Sequence, residues 1–341
     1  MLKLKPLLMK NYRVLFIGVI ALLFEYFPDF IKGHKKITGL KKYFYFTPYV
    51  MRYFNNEIAR HLKANQYSFV FQTQSIFDSS SEKVSNFVYT DHTILYNLHY
   101  PLIDANEYRF SKRYMKLEKA IYDNATQVFV MSANIKESLV SQYGVHEDKI
   151  KLVYVGSNTA ISTTVNRQKY ANKNILFVGK DWERKGGPLL FEAFKIVLQS
   201  IPDATLTVLG CSPDIRYRNC NVYGKVPLQE VAVCYNKASV FCLPTKREPF
   251  GVVFIEAMLN RLAIVTNTVG ATPDLVINDK NGYRLNYDAK EYAATLITLL
   301  NNPDKCEELG ANSYRYANQA YTWDHVGQLI SKNINEALTK S

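Results

Sequence analysis

The chain has 341 residues, enough for two domains with separate cores, and its 48% hydrophobic content is that of an ordinary globular protein. Five Cys, all after position 210 and with no C-x-x-C pair or Cys/His cluster, exclude a disulfide framework and a zinc site and fit a reduced, cytosolic compartment. The formal net charge is +12, and residues 1–66 hold 12 Lys/Arg against 3 Asp/Glu, a bias that attracts phosphates, anionic lipid or nucleic acid.

Residues 14–24 are an apolar run of 11 residues behind Lys3, Lys5, Lys10 and Arg13. The run is too short to span a bilayer, and no small-residue cleavage site follows it, only Phe24-Glu25-Tyr26-Phe27-Pro28. Residues 13–18 read as the first strand of an α/β domain, running into a helix. The next forty residues mix bases and aromatics, Lys35, Lys36, Lys41 and Lys42 with Tyr43 to Phe46. Such mixing suits a membrane interface or an RNA surface; no RNA-binding motif accompanies it, which sets nucleic acid aside. A helix is expected at 55–63, then strands at 68–72 and 86–90. The second strand runs into Asp91-His92-Thr93, and a His just past a strand end can donate a hydrogen bond to a ligand or sense its charge. Residues 107–124 read as a helix with a basic, solvated face. Residues 126–132 read as a strand whose Ser132 caps the following helix, and 149–155 as a last short strand. The polar, β-branched stretch 156–164 has no helical period and reads as a linker.

The second half has a clearer α/β rhythm. A strand at 174–179, a basic loop at 180–188 and a helix at 189–199, with Pro188 near its first position, form a unit that would hold a diphosphate. The loop is neither a Walker A nor a G-x-G-x-x-G sequence. Strands follow at 204–210 and 221–224, and the loop Lys225-Val226-Pro227 can offer backbone groups to a nucleobase. A buried strand at 239–244 closes on Pro244 and leads through Glu248-Pro249-Phe250-Gly251 into a helix at 252–260. In a parallel sheet that turn lies at the carboxyl edge, where ligands bind. Glu248 lies in the loop and Glu256 about one turn into the helix; between them the helix start offers free N–H groups and a positive dipole end. Gly251 lets a ligand approach the backbone. Two carboxylates flanking an anion-binding helix start suit a ligand with hydroxyls and phosphate, such as a nucleotide sugar. A strand at 262–266, a helix opened by Gly270-Ala271-Thr272, two helices within 288–320 broken near Pro303, and a final helix beyond Trp323 complete the chain.

Three features in order make residues 174–325 resemble the donor domain of type B glycosyltransferases (GT-B), specifically the retaining enzymes of family four. Gly179-Lys180 with Lys185-Gly186 is similar to the family's Gly-Arg…Lys-Gly loop. Glu248 through Glu256 matches its Glu-x7-Glu motif, and Val269-Gly270-Ala271 with Asn281-Gly282 resembles the following Gly-rich turn. In the first half, Tyr89 to Thr93 resembles the acceptor-side strand end that carries an active-site His, and Leu117-Glu118 through Ser132 the next helix and strand. The resemblance implies two Rossmann-like domains facing across a cleft, 1–160 on the acceptor side and 161–322 on the donor side, with a C-terminal helix at 323–341 returning to the first. It implies that Lys185 and Lys180 contact the diphosphate, with Arg184 a further candidate, and that Gly179 belongs to the same loop. It assigns hydroxyls of the donor sugar to Glu248, the ribose to Glu256, backbone contacts to Phe250, Gly251 and Val252, and the base to Val226. His92, Lys185 and Glu248 form the expected catalytic set. The sequence departs from the family where Lys180 replaces Arg, where Arg261 and Ala263 replace Gly and Pro, and where apolar residues 20–24 replace a Gly-rich loop.

The activity this implies is transfer of a hexose, with retention, from GDP-mannose or else UDP-glucose to a hydroxyl of a glycan, glycoprotein or lipid-linked acceptor. No Asp-x-Asp occurs in the chain, and a mechanism without metal or cofactor is the coherent expectation. Rival readings are a nucleotide-sugar 2-epimerase of the same layout and a non-catalytic nucleotide-sugar or membrane-binding protein. Peripheral membrane contact through the basic N-terminal region and a homodimer are admitted by the same reading.

Overall fold

The computed structural model describes residues 4–35, 39–159 and 166–339. The chain divides into two compact units: one takes the residues up to Val153 with those from Ile330 on, and the other is Tyr154–Leu329.

The first unit opens with four helices, α1 (Leu4–Met9), α2 (Tyr12–Ile31), α3 (Leu40–Tyr45) and α4 (Pro48–Ala64). It continues through β1 (Phe69–Thr73), β2 (Ser85–Thr90), α5 (Ile94–Asn97), α6 (Lys112–Asn124), β3 (Gln127–Val130), α7 (Ala133–Ser141) and β4 (Ile150–Leu152). The strands form one parallel sheet in the order β1-β2-β3-β4. The strand expected at residues 13–18 is a helix instead. The apolar run continues past residue 24, and its buried positions Val14, Gly18, Leu22 and Tyr26 recur every four residues, a helical stripe. Asn11 caps the start, its side chain accepting from the Val14 N–H at 3.2 Å. The helix expected at 55–63 begins earlier, at Pro48, with Thr47 as N-cap accepting from the Val50 N–H at 3.3 Å. Ser132 stands at the N-cap position of α7, yet its hydroxyl makes no cap bond and is buried without a partner. The basic helix starts at Lys112, not 107, because Ser111 supplies the cap. Residues 160–164, most of the linker expected at 156–164, lie outside the described residues.

The second unit mostly alternates strand and helix: β5 (Asn174–Val178), α8 (Gly187–Ser200), β6 (Thr205–Leu209), β7 (Cys220–Gly224), α9 (Leu228–Lys237), β8 (Val240–Leu243), α10 (Val252–Leu259), β9 (Ala263–Asn267), α11 (Thr272–Leu275), β10 (Gly282–Leu285), α12 (Ala289–Leu300) and α13 (Pro303–Ala320); the last helix, α14 (Trp323–Leu338), starts in this unit, and its residues from Ile330 on belong to the first. Its six strands are parallel in the order β10-β9-β8-β5-β6-β7. β8 is buried at every position, as a central parallel strand requires. The order reverses between β5 and β8, which pair directly through Ile175 with Val240 and Leu176 with Phe241. The crevice outside the carboxyl ends of two such strands is where open α/β sheets bind ligands. β10 was not expected from the sequence; it is four residues long and only Gly282 in it is buried.

Candidate functional site

The loops that follow β5 and β8 are built around two glycines. Gly186 adopts φ +75°, and a Cβ there would lie 1.7 Å from the Pro244 carbonyl oxygen, so this position admits no side chain. The contact presses the basic loop onto the end of β8. Hydrogen bonds complete the seam: the Arg184 carbonyl accepts from the Lys246 N–H at 2.8 Å and from the Thr245 hydroxyl at 3.5 Å. Gly251 at φ +87° turns the chain into α10.

The seam brings Lys185 and Glu248 together. The Lys185 ammonium donates to Glu248 Oε2, and both residues are more than nine-tenths buried. Removing one charge from such a pair leaves the other desolvated and uncompensated. Glu248 is further fixed by its carbonyl, which accepts from the Ala271 N–H at 3.3 Å and so joins the turn after β9 to the same edge. In that turn the Thr272 hydroxyl accepts from the Val269 N–H at 2.9 Å and donates to the Asn267 carbonyl at 2.7 Å. Asn281 has a supporting role, tying its side chain to the Ile277 N–H and the Leu275 carbonyl.

Glu256 lies on the buried face of α10. Burial raises its carboxyl from the ordinary value to about 7, against the lowering effect of the Tyr235 hydroxyl 3.2 Å away. Tyr235 was not foreseen as part of the site. Its signal is position: with Val231 it forms the buried stripe of α9, four residues apart.

The remaining expected residues occupy different settings. Gly179 directly follows β5, packed against the Lys185 side chain, while Lys180 is exposed. Arg184 is tied between the two loops: its guanidinium donates to the Arg247 carbonyl of the loop after β8 at 2.9 Å and lies 3.4 Å from Asp181 of its own loop. Phe250 is buried and Val252 half-buried, at the start of α10. The first N–H groups of that helix have no intrahelical acceptor, and its dipole is positive at this end. Val226 lines a groove of about 410 Å³ with Leu209, Tyr223 and Glu230, a groove that includes none of Lys185, Glu248 and Glu256. Arg261, where the resemblance expects Gly, adopts φ +56°, and its guanidinium lies 3.9 Å from the centre of the Tyr314 ring. The departure from Gly thus falls on a backbone that Gly favours.

In the first unit, His92 lies beyond β2 with Nδ1 2.6 Å from Asp91 Oδ1. With the proton on Nδ1, Nε2 is the acceptor of the ring. Behind this loop Glu118 is wholly buried; it accepts from the Ile94 N–H at 3.1 Å, from the Tyr122 hydroxyl at 3.2 Å and from the Tyr143 hydroxyl. Burial raises its pKa, opposed by these bonds. A carboxylate on helix α6 therefore fixes the backbone just after His92.

Comparison with known proteins gives two family matches in chain order. Residues 21–160 match "Glycosyltransferase Family 4" and residues 163–316 match "Glycosyl transferases group 1". The chain is 21% identical over 319 residues to an uncharacterized 41.2 kDa protein of the cps region of Klebsiella pneumoniae, covering 87% of this chain and 86% of that protein. It is 26% identical over 252 residues to a D-inositol 3-phosphate glycosyltransferase of Corynebacterium efficiens, covering 65% of this chain and 59% of the relative. Sucrose-phosphate synthase from Thermosynechococcus elongatus has a similar fold, with a TM-score of 0.68 at 20% identity over 85% of this chain and 79% of that one.

Proposed function

Since the chain belongs to the type B glycosyltransferases of family four, we propose that it moves a hexose from a nucleoside diphosphate sugar to a hydroxyl of a glycan or lipid-linked acceptor, with retention. The observation that carries this reading is the buried Lys185–Glu248 pair at the sheet's switch point, beside the start of α10. Departure of the nucleoside diphosphate creates negative charge. Lys185, the exposed Lys180 and the N-terminus of α10 supply fixed positive charge to receive it, and one preorganised contact of this kind is worth about 3 kcal/mol. In this account the donor's diphosphate takes the ammonium of Lys185 from Glu248, and the released carboxylate accepts from the sugar hydroxyls. Glu256 accepts from the ribose, Val226 offers backbone to the base, and no metal is needed.

The acceptor attacks from the face the leaving group departs, so neither Glu is required as a covalent nucleophile. Glu248 is occupied by Lys185, which fits a binding role. His92 is assigned to the transferred sugar as a hydrogen-bonding group, held in place by Asp91 and by the Glu118 anchor. Five free thiols fit the reducing cytoplasm. The family matches and the named transferase relative favour transfer over epimerisation or binding alone. Thermal-shift titration with GDP-mannose first and UDP-glucose second tests the donor: stabilisation by one of them, lost in Glu256→Gln, supports the assignment. No shift with any nucleotide sugar counts against it.

A further inference from the structure

Helix α2 carries an uncovered apolar face. Its inward stripe of Val14, Gly18, Leu22 and Tyr26 is buried, and Gly18 lies so near the Phe44 ring that a Cβ would come within 2.6 Å of it. Opposite that stripe, Phe16 is 70% exposed and Phe24 87% exposed, with Ile17, Ile20, Leu23 and Phe27 exposed around them. At 3.6 residues per turn these six side chains span an arc of roughly 120° and run about 17 Å along the helix. Among the exposed residues of α2 only Arg13, at its first turn, is charged. An apolar patch of this extent on a folded domain marks an interaction surface.

We propose that α2 lies in the plane of an anionic lipid surface, its outward face among the acyl chains and its basic ends among the headgroups. Lys10 and Arg13 flank one end and Lys32 the other, all exposed. Residues 1–66 hold 12 of the 42 Lys/Arg and only 3 of the 30 Asp/Glu, so charge complementarity selects anionic lipid. A second copy of the chain is disfavoured on the same ground, because symmetric pairing across this face sets like-charged ends against each other. The helix has the length and mean hydropathy, 20 residues and 2.0, of a bilayer span, but its other face is part of the domain. Tyr26 donates to the Phe46 carbonyl at 2.5 Å, Glu25 pairs with Arg113 at 3.8 Å, and just past the helix Lys35 donates to the Asn106 and Arg109 carbonyls at 3.1 and 2.6 Å. Crossing the bilayer would break these contacts and place Glu25 and Asp29 in hydrocarbon; lying in the interface keeps them. The inference rests on the first unit alone and is independent of the sugar-transfer reading.

The test is sedimentation of the full chain with phosphatidylcholine vesicles, with and without phosphatidylglycerol, in the absence of any nucleotide sugar. The chain is expected to pellet with the anionic vesicles, to be released by high salt or alkaline carbonate, and to remain in solution with phosphatidylcholine alone. The double variant Phe16→Glu/Phe24→Glu changes only exposed residues; its melting temperature is expected to match wild type while vesicle partitioning falls at least about tenfold. Failure of the wild type to bind anionic vesicles, equal binding by the double variant, or resistance to carbonate as a spanning helix shows would each overturn the proposal. So would a stable dimer in solution that the same variant dissociates.

Discussion

At the scale of single residues, the site turns on charges that compensate one another. Lys185 and Glu248 are paired in burial, so Lys185→Met is expected to destabilise the second unit by about 3 kcal/mol as well as to stop turnover. The double variant Lys185→Met/Glu248→Leu is expected to regain most of that stability and none of the activity. Thermal and denaturant unfolding of the three proteins checks this; a double variant no more stable than the single one would mean that the pair is not energetically coupled. Glu256 gives a pH signature. Its folded carboxyl titrates at about 7, above the ordinary value of 4.5, so the folded state holds the proton more tightly. The stability this brings is fully present below pH 4.5 and is lost as the pH rises through 7. Glu256→Gln should flatten that part of the melting-temperature profile between pH 4.5 and about 7, the span of the two values. An unchanged profile would place the titrating group elsewhere.

At the scale of elements, the seam between two loops matters more than either loop. Gly186→Ala drives a methyl group into the Pro244 carbonyl. It is expected to cost about 2 kcal/mol or more and to weaken donor binding together with stability, as denaturant midpoints and nucleotide-sugar titrations would show. An alanine variant with wild-type stability would contradict the close packing. The elements also show what the sequence made legible. Strands β5, β6 and β8 are short apolar runs bounded by Gly or Pro, and their positions could be read within a residue or two. So could the glutamate-bearing turn, because strand, loop and helix there have distinct compositions. The first apolar run misled because residues 13–18 alone do not distinguish strand from helix; the four-residue stripe emerges only over the full length of α2. The start of α4 was legible in Thr47-Pro48, an N-cap followed by Pro at the first helical position, and was overlooked. The Lys185–Glu248 pairing and the partnership of Tyr235 with Glu256 join residues 63 and 21 apart, and no local pattern reports such contacts.

At the scale of the whole molecule, the chain is two α/β units with parallel sheets, each with its own strand order. The residues assigned to the donor, from Gly179 to Glu256, all belong to the second. A fragment spanning residues 154–329 is therefore expected to unfold cooperatively and to bind the nucleoside diphosphate, yet to transfer no sugar, because His92 and the Glu118 anchor belong to the other unit. A fragment that folds but does not bind nucleotide would contradict the division of labour. The central claim, that the Lys185–Glu248 pair receives an activated sugar, is tested most directly by donor-dependent release of nucleoside diphosphate from wild type and from Glu248→Gln. The account predicts release by wild type and a loss of about a hundredfold or more in the variant, with its secondary structure intact. Wild-type rates in the folded variant would contradict it.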